Sequence, residues 1–339
     1  MRAGQTKYTA VAGIKQLRAA IGESLRRDHG LNYGIDQITV ACGAKQVVFN
    51  ALFARLDAGD EVVIPTPCWV SYPDMVTLAG GKPVLVDCSE RDGFKLRPEA
   101  LDQAITPHTK WLMLNSPCNP TVRSTVVICS RSPRCCAGMA MCMCYPTTSM
   151  KSSPMTPTLQ RWPQVAPDLC ERTLTVNGMS KADAMTGWRV GYGAGPLALI
   201  KAMNLIQGQT SSHTSSVSQY AARGAVRETG PYHRVRARVY AATRSCYRQA
   251  EPGQGACLPC AGRCLFPSCA GVIGKRTPDG KMIETDSDFA VYLLDAFAVT
   301  VVPGSGFMAS PYTRISDASS LQDLTRACDR IIAAGASLS

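Results

Sequence analysis

Lys181 sits in "TLTVNGMSKADAMTGWRVGYGAG" (173–195), between two apolar strand-like runs and eight residues before Arg189. A lysine amine that is partly desolvated and lowered in pKa attacks carbonyls to form Schiff bases, whereas a lone surface lysine is simply a solvated charge. The choice therefore turns on its company. After the strand-like "ITVAC", Gly43-Ala44-Lys45 opens a helical pattern. Small residues there let backbone N–H groups approach an anion at the positive helix end, or merely make a tight turn. Trp69, after "EVVIPTP", offers a flat face on which a ring could stack or an aromatic lid over a turn. Asn119 in "SPCNPT" is turn chemistry before proline or an amide within reach of a ring hydroxyl. The remaining charged and phenolic candidates each have a plain rival: Arg189 as partner of any carboxylate, Arg314 in "YTRIS" as an edge-strand charge, Tyr8 as a loop aromatic.

These groups need a scaffold, and the chain alternates strand and helix patterns. "ITVAC" (38–42) reads as a strand and "AKQVVFNALFARL" (44–56) as a helix with Val47, Val48, Leu52 and Phe53 on roughly one face. "GDEVVIP" restarts a strand at Glu61; "SYPDMVTLAG" and "KPVLVD" repeat the unit, and "KWLMLNSP" (110–117) adds another apolar strand. Apolar strands separated by helices predict an α/β fold with a mostly parallel sheet covered on both faces. Ligands in such sheets bind at the carboxyl ends of the strands, where the candidate residues fall. Lys181 itself is expected in a strand-turn-strand setting.

Composition sets the outer limits. The chain has 339 residues, 16 cysteines and a formal net charge of +11, room enough for two packed domains or one large one. The charge is uneven. Residues 121–164 hold five Lys and Arg and no acid, residues 223–264 hold eight Arg against two Glu, and the remainder is neutral. The same two windows carry nine of the cysteines and show no sustained period, so they read as composition-shifted inserts without a packed core. A zinc module on Cys257, Cys260, Cys264 and Cys269 would need four thiolates at an irregular spacing. A nucleic-acid binder would rest on the Arg-rich 234–248 stretch alone, without a recognisable motif. The expectation is no metal, no nucleic acid and no membrane: no run reaches the roughly 18 apolar residues of a spanning helix, and "MRAGQTKYTAVAG" lacks an apolar leader core, which makes the cytoplasm the expected compartment.

Taken in order, "ACGAKQVVFNAL", "PTPCWVSYPDMVTLAGG", "LNSPCNPT", "SKADAMTGWRVGY" and "PYTRISDASS" resemble the phosphate cradle, ring-stacking, Asn-Pro, lysine and C-terminal arginine segments of the class I aminotransferases, the pyridoxal 5'-phosphate (PLP) enzymes of fold type I. The similarity is greatest to bacterial aspartate aminotransferases that also accept aromatic or prephenate-type substrates, and covers residues 5–121, 164–222 and 264–335. The resemblance implies a seven-stranded-type sheet flanked by helices with a smaller α+β domain. It also implies transamination between an L-amino acid, such as aspartate or another dicarboxylic or aromatic donor, and a 2-oxo acid such as 2-oxoglutarate. Lys181 would hold PLP as an internal aldimine and, as free amine, move the proton between the substrate α-carbon and the cofactor. Gly43, Ala44 and Arg189 would bind the phosphate, Trp69 would stack on the pyridine, and Asn119 would bond its 3-hydroxyl. Arg314 would clamp the substrate α-carboxylate, Lys45 would meet a distal carboxylate, and Tyr8 would reach the phosphate of a neighbouring subunit in a homodimer.

The departures set further expectations. Family members carry some five dozen more residues before "TKYT", so the small domain is expected to be incomplete. The expected division is 1–222 for the large PLP-binding domain, with the aberrant window 122–163, and 223–339 for the linker and small domain, with the window 223–264. The first window should contain an Asp-x-x-Tyr motif whose Asp pairs with the pyridine nitrogen, and it holds no acid at all. Removing such a charge from an electrostatic site costs orders of magnitude in rate, which makes a catalytically impaired relic the alternative expectation. A shifted reading frame is one hypothesis for the loss: codons for Thr147-Thr148-Ser149-Met150-Lys151 exist that, read one base earlier, encode Asp-Asp-Ile-Tyr-Glu. The gene's nucleotide sequence tests it, and the absence of any open shifted frame would end it.

Overall fold

A computed structural model describes residues 4–115, 118–121, 142–144, 171–227, 264–316 and 319–339. Strand β1 (Ile38–Cys42) is followed by helix α2 (Ala44–Phe53), β2 (Glu61–Thr66) by α3 (Ser71–Leu78), and β3 (Lys82–Asp87) by α4 (Pro98–Ala104) and β4 (Thr109–Leu114). Then come β5 (Cys142–Cys144), β6 (Thr173–Gly178), the short α5 (Met179–Ala182), β7 (Val190–Ala194), α6 (Leu197–Thr210) and α7 (Ser216–Arg227). Helix α1 (Lys15–His29) precedes them all. The seven strands form one sheet in the order β1-β7-β6-β5-β4-β2-β3. The pairs β2·β4, β4·β5 and β5·β6 are parallel, and β7 runs antiparallel to both its neighbours. This is the α/β architecture expected from the alternating pattern, with one reversed strand.

Three details differ from the sequence reading. The apolar helical pattern ends at Phe53 rather than at residue 56. Val47, Val48 and Leu52 are fully buried, while Phe53 is 53% exposed. At about 100° per residue Phe53 lies well past the edge of the stripe that Val47, Ala51 and Leu52 define. The segment carrying Lys181 is strand, short helix, 3₁₀ turn (Thr186–Trp188) and strand, not a simple turn between strands. The first composition-shifted window also contributes a strand: β5 lies at the middle of the sheet, Leu112–Leu114 pairing with Cys142–Cys144 on one side and Thr173–Thr175 on the other. Ladder pairing uses backbone groups, so a stretch without side-chain periodicity can still supply it. The second window begins inside α7.

The described residues fall into two compact units. One comprises Met1–Pro65, Ser71–Pro117 and Ser124–Tyr232; the other comprises Thr66–Val70, Cys118–Arg123 and His233–Ser339. In the first, α1 lays Leu17, Ile21 and Leu25 against Ile38, Val40, Val190 and Tyr192 of the sheet. Each such burial contributes about 1.5–3 kcal/mol. Helix α1 closes on Gly30, whose left-handed backbone (φ 63°) lets its N–H reach Arg26 O.

The second unit holds a three-stranded sheet in the order β8 (Cys264–Leu265), β10 (Thr313–Ser316), β9 (Val302–Pro303), with helices α8 (Asp286–Phe297) and α9 (Leu321–Ala336). Phe289, Leu293, Val299, Ala334 and Leu338 make its core. Thr285 caps α8 by accepting from Asp288 N while the Asp288 carboxylate accepts from Thr285 N, and Ser320 caps α9. Among the described residues no helix is long and apolar enough to cross a membrane.

Candidate active site

The carboxyl ends of β1 and β6 flank the amino end of β7, and most of the candidate residues of the first unit sit there. Gly43 joins β1 to α2 with φ 84° and ψ 160°, a left-handed conformation that favours glycine. The first turn of α2 leaves backbone N–H groups without intrahelical acceptors, and Ala44 and Lys45 occupy it. Arg189 has a left-handed backbone of its own, φ 53° and ψ 52°. An arginine held there stores strain, and the consequence is visible: its guanidinium lies over Gly43. A Cβ placed on Gly43 would come within 2.3 Å of Arg189 Nη2. Arg189 Nη1 donates to Thr186 O at 3.0 Å and to Ser180 Oγ at 3.5 Å.

Two glycines form the floor. Gly191 pairs with Ala41 on one side and Gly178 on the other. A Cβ on Gly191 would lie 2.1 Å from Ala44 N and 2.3 Å from Gly43 C, so only glycine lets β7 pass beneath the cradle. A Cβ on Gly178 would lie 3.4 Å from the Ala44 Cβ. These floor residues escaped the sequence reading. Their signal was the alternation Gly191-Tyr192-Gly193-Ala194-Gly195: glycine at every second strand position marks a face against which other chain segments press.

Lys181 follows Gly178 on α5 and is exposed, and its amine has no hydrogen-bond or ion-pair partner among the described residues. Lys45, on the first turn of α2, places Nζ 3.2 Å from Ser71 Oγ. Tyr8 is 92% exposed, its ring edge-on to His213 with centroids 5.4 Å apart. So the structure brings Arg189 against Gly43, next to Ala44 at the helix start, puts Lys181 at the same end of the sheet, and leaves Tyr8 exposed.

The second unit holds the other three candidates. Arg314, on β10, donates from Nη1 to Asn119 Oδ1 at 3.3 Å, and its guanidinium carbon lies 5.1 Å from the centre of the Phe307 ring. Its Nε is buried without a partner, and no carboxylate pairs with it among the described residues. Because Asn119 presents its oxygen to Arg314, its amide N–H groups are left for another acceptor. Trp69 is half-buried beside Cys68, whose N–H donates to Phe307 O at 3.0 Å.

The fit to a phosphate-bearing aldehyde cofactor follows from these contacts. Arg189 Nη2 occupies the place a Gly43 Cβ would take, so a guanidinium and a helix start converge there, a donor set that suits a phosphate dianion, and a lysine whose amine has no partner among the described residues, at the same end of the sheet, suits a carbonyl. The stretch expected to hold Asp-x-x-Tyr lies outside the described residues, as do Cys257 and Cys260 of the zinc alternative.

Comparison with known proteins gives a consistent picture. The model of the family described as aminotransferase class I and II matches residues 2–123 and 143–331. An aspartate aminotransferase of Rhizobium meliloti is 45% identical over 98% of this chain and 82% of its own length. An aspartate/prephenate aminotransferase of Cereibacter sphaeroides is 43% identical over 99% of this chain and 86% of its own. The crystal structure of a Rhizobium meliloti aspartate aminotransferase superposes with a TM-score of 0.94 at 43% identity, covering all of this chain and 86% of that one.

Proposed function

We propose, from the premise that this chain belongs to the aminotransferase class I and II family, that it moves an amino group from a dicarboxylic amino acid, aspartate first, to a 2-oxo acid such as 2-oxoglutarate. Transamination with PLP is the reaction of the family and of this chain; the donor, the residue roles and the assembly are our reading. The cofactor supplies an aldehyde that accepts the amino group and a conjugated ring that withdraws electrons from the substrate α-carbon.

The chain's own groups do the rest. The N–H groups at the start of α2 and the Arg189 guanidinium hold the phosphate, so that the cofactor stays bound between the two halves of the reaction. Lys181 would hold the cofactor's carbonyl end, and its amine would move a proton to and from the substrate α-carbon, the task a positioned general base performs. Trp69 provides the stacking face, and the Asn119 amide donates to the ring hydroxyl oxygen. Arg314, which has no carboxylate partner among the described residues, takes the substrate α-carboxylate through paired donors. Lys45 takes the distal carboxylate. Tyr8, turned to solvent, donates to the phosphate held by a second copy of the chain, which makes the working unit a homodimer acting in the cytoplasm.

The observation that carries this reading is the convergence of Gly43, Ala44 and Arg189, with Lys181, whose amine has no partner among the described residues, at the same end of the sheet. Its test is an absorption spectrum after adding PLP and gel filtration, beside Lys181→Ala. A retained chromophore lost in Lys181→Ala is expected, with aspartate then bleaching it. Equal retention in both proteins would remove Lys181 from its role.

A further inference from the structure

Arg314 has no side-chain anion to hold it in place among the described residues; besides the Nη1 bond to Asn119 Oδ1, its guanidinium carbon lies over the Phe307 ring, 5.1 Å from its centre. That ring is placed by a turn. Between β9 and β10 the chain folds into a 3₁₀ turn, Gly304–Phe307, closed by Gly304 N to Tyr312 O at 2.7 Å and Ala309 N to Gly304 O at 3.0 Å. A Cβ on Gly304 would meet Ala309 O at 2.1 Å, so the turn admits only glycine there. The turn carries Phe307, 1% exposed, beneath Arg314, which pairs with Val302 across the same ribbon. Phe266 meets the Phe307 ring edge-on at 6.1 Å and stacks on Tyr312 at 5.0 Å, closing the ring in from another side. The turn is in turn held by Asp286, also 1% exposed, whose Oδ2 accepts from Ser305 N at 2.7 Å and whose Oδ1 has no partner.

A buried carboxylate with half its acceptor capacity unused is costly unless its one bond matters. A ring face under a guanidinium holds the plane by electrostatic attraction while leaving the in-plane donors free. We infer that Phe307, seated by Asp286 through the Gly304–Phe307 turn, is the positioning residue that aims Arg314 at a carboxylate. This deepens the reading of Arg314 as the substrate clamp and rests on it. The Phe307 carbonyl also accepts from Cys68 N, so the backbone next to Trp69 hangs on the same turn.

The test is calorimetric titration of the PLP-loaded protein with succinate, a dicarboxylate that has no amino group to transfer. Phe307→Leu keeps an apolar filling but no ring, and should weaken succinate about five- to tenfold; Phe307→Tyr, which restores the ring, should recover most of it. Should Phe307→Leu fail to fold, Asp286→Ala against Asp286→Asn asks the same question, since only Asn keeps an acceptor for Ser305 N. Arg314→Lys separates the layers. If Arg314→Lys weakens succinate while Phe307→Leu, or Asp286→Ala in its place, does not, the positioning role is overturned and the clamp stands. If Arg314→Lys leaves succinate binding unchanged, the clamp itself falls and the inference with it.

Discussion

Replacing Gly191 by alanine puts one methyl group under the Gly43–Ala44 turn, the proposed phosphate cradle. Gly191 does not use the left-handed backbone region, so the change is a question of space alone. The added carbon would stand 2.1 Å from Ala44 N, 2.3 Å from Gly43 C and 2.6 Å from the Ala44 Cα. All three are backbone atoms, and none can swing aside as a side-chain tip could. Contacts below 3.0 Å are not tolerated, so Gly43 and Ala44 must retreat by about 1 Å, or β7 must sink by as much. Overpacking of this kind costs about 1–3 kcal/mol of stability, a fall in Tm of a few degrees for a chain this size. The larger effect is on binding. A shift of about 1 Å in a group that positions a ligand is worth about a hundredfold, or ~2.7 kcal/mol. The assay is fluorescence or absorption titration with PLP and, separately, with pyridoxal, which lacks the phosphate. Gly191→Ala should lose about a hundredfold in PLP affinity and little in pyridoxal affinity. Equal losses for both ligands would mean that the variant is merely unfolding, and no loss for PLP would mean that the phosphate is held elsewhere.

Three other outcomes are expected. Tyr8→Phe, changing one hydroxyl on an exposed ring, should lower PLP affinity about tenfold in the assembled protein without altering thermal stability; unchanged affinity would show that Tyr8 touches no phosphate. Burial pushes the Cys68 thiol up to about 12, and burial together with the Asp286 charge pushes Cys269 up to about 11, whereas Cys42 is exposed. Iodoacetamide at neutral pH, read by peptide mass mapping, should therefore mark Cys42 well before either of the other two; early labelling of Cys68 would contradict the packing around it. The Thr106 hydroxyl, then the Lys82 ammonium, hold the Glu61 carboxyl below its ordinary range. A depressed acid stabilises the fold above its unfolded value and loses that contribution as pH falls through the folded one. The stability gap between wild type and Glu61→Gln should thus close as pH falls through and below the ordinary carboxylate range in urea titrations, and a gap independent of pH would refute the pairing.

How far the molecule was legible depended on what its residues had to touch. Strands β1, β2 and β4 were readable because apolar runs bounded by turns have few other solutions in a sheet covered on both faces. The start of α2 was readable because Gly43 and Ala44 are a local signal. Phe53 was misjudged because a helical stripe is narrower than a count of apolar residues suggests, and its far edge is set by what packs there. Strand β5 was invisible for a different reason: main-chain pairing with β4 and β6 leaves no mark in side-chain periodicity. Among the proposed site residues, Lys181, Arg189 and Arg314 stood out in the sequence by their chemistry. Gly191 and Phe307 are set by shape, one by leaving no room for a Cβ and the other by its place under the Arg314 guanidinium carbon. Such roles show only when the neighbours are in place.

The strand order has a consequence for how the protein is made. In sheet order β1 has only β7 beside it, and the register ties Ile38 to Ala194, about 150 residues further along the chain. A ribosome adding roughly 5–20 residues each second leaves β1 waiting on the order of ten to thirty seconds for its partner. Until then the strand is an unpaired edge and the helix start behind it has no floor, which is the kind of exposed surface that chaperones recognise. The proposed phosphate cradle is thus assembled after most of the sheet has been synthesised, and stalled nascent chains ending before and after Ala194 should differ sharply in protease resistance across residues 38–53.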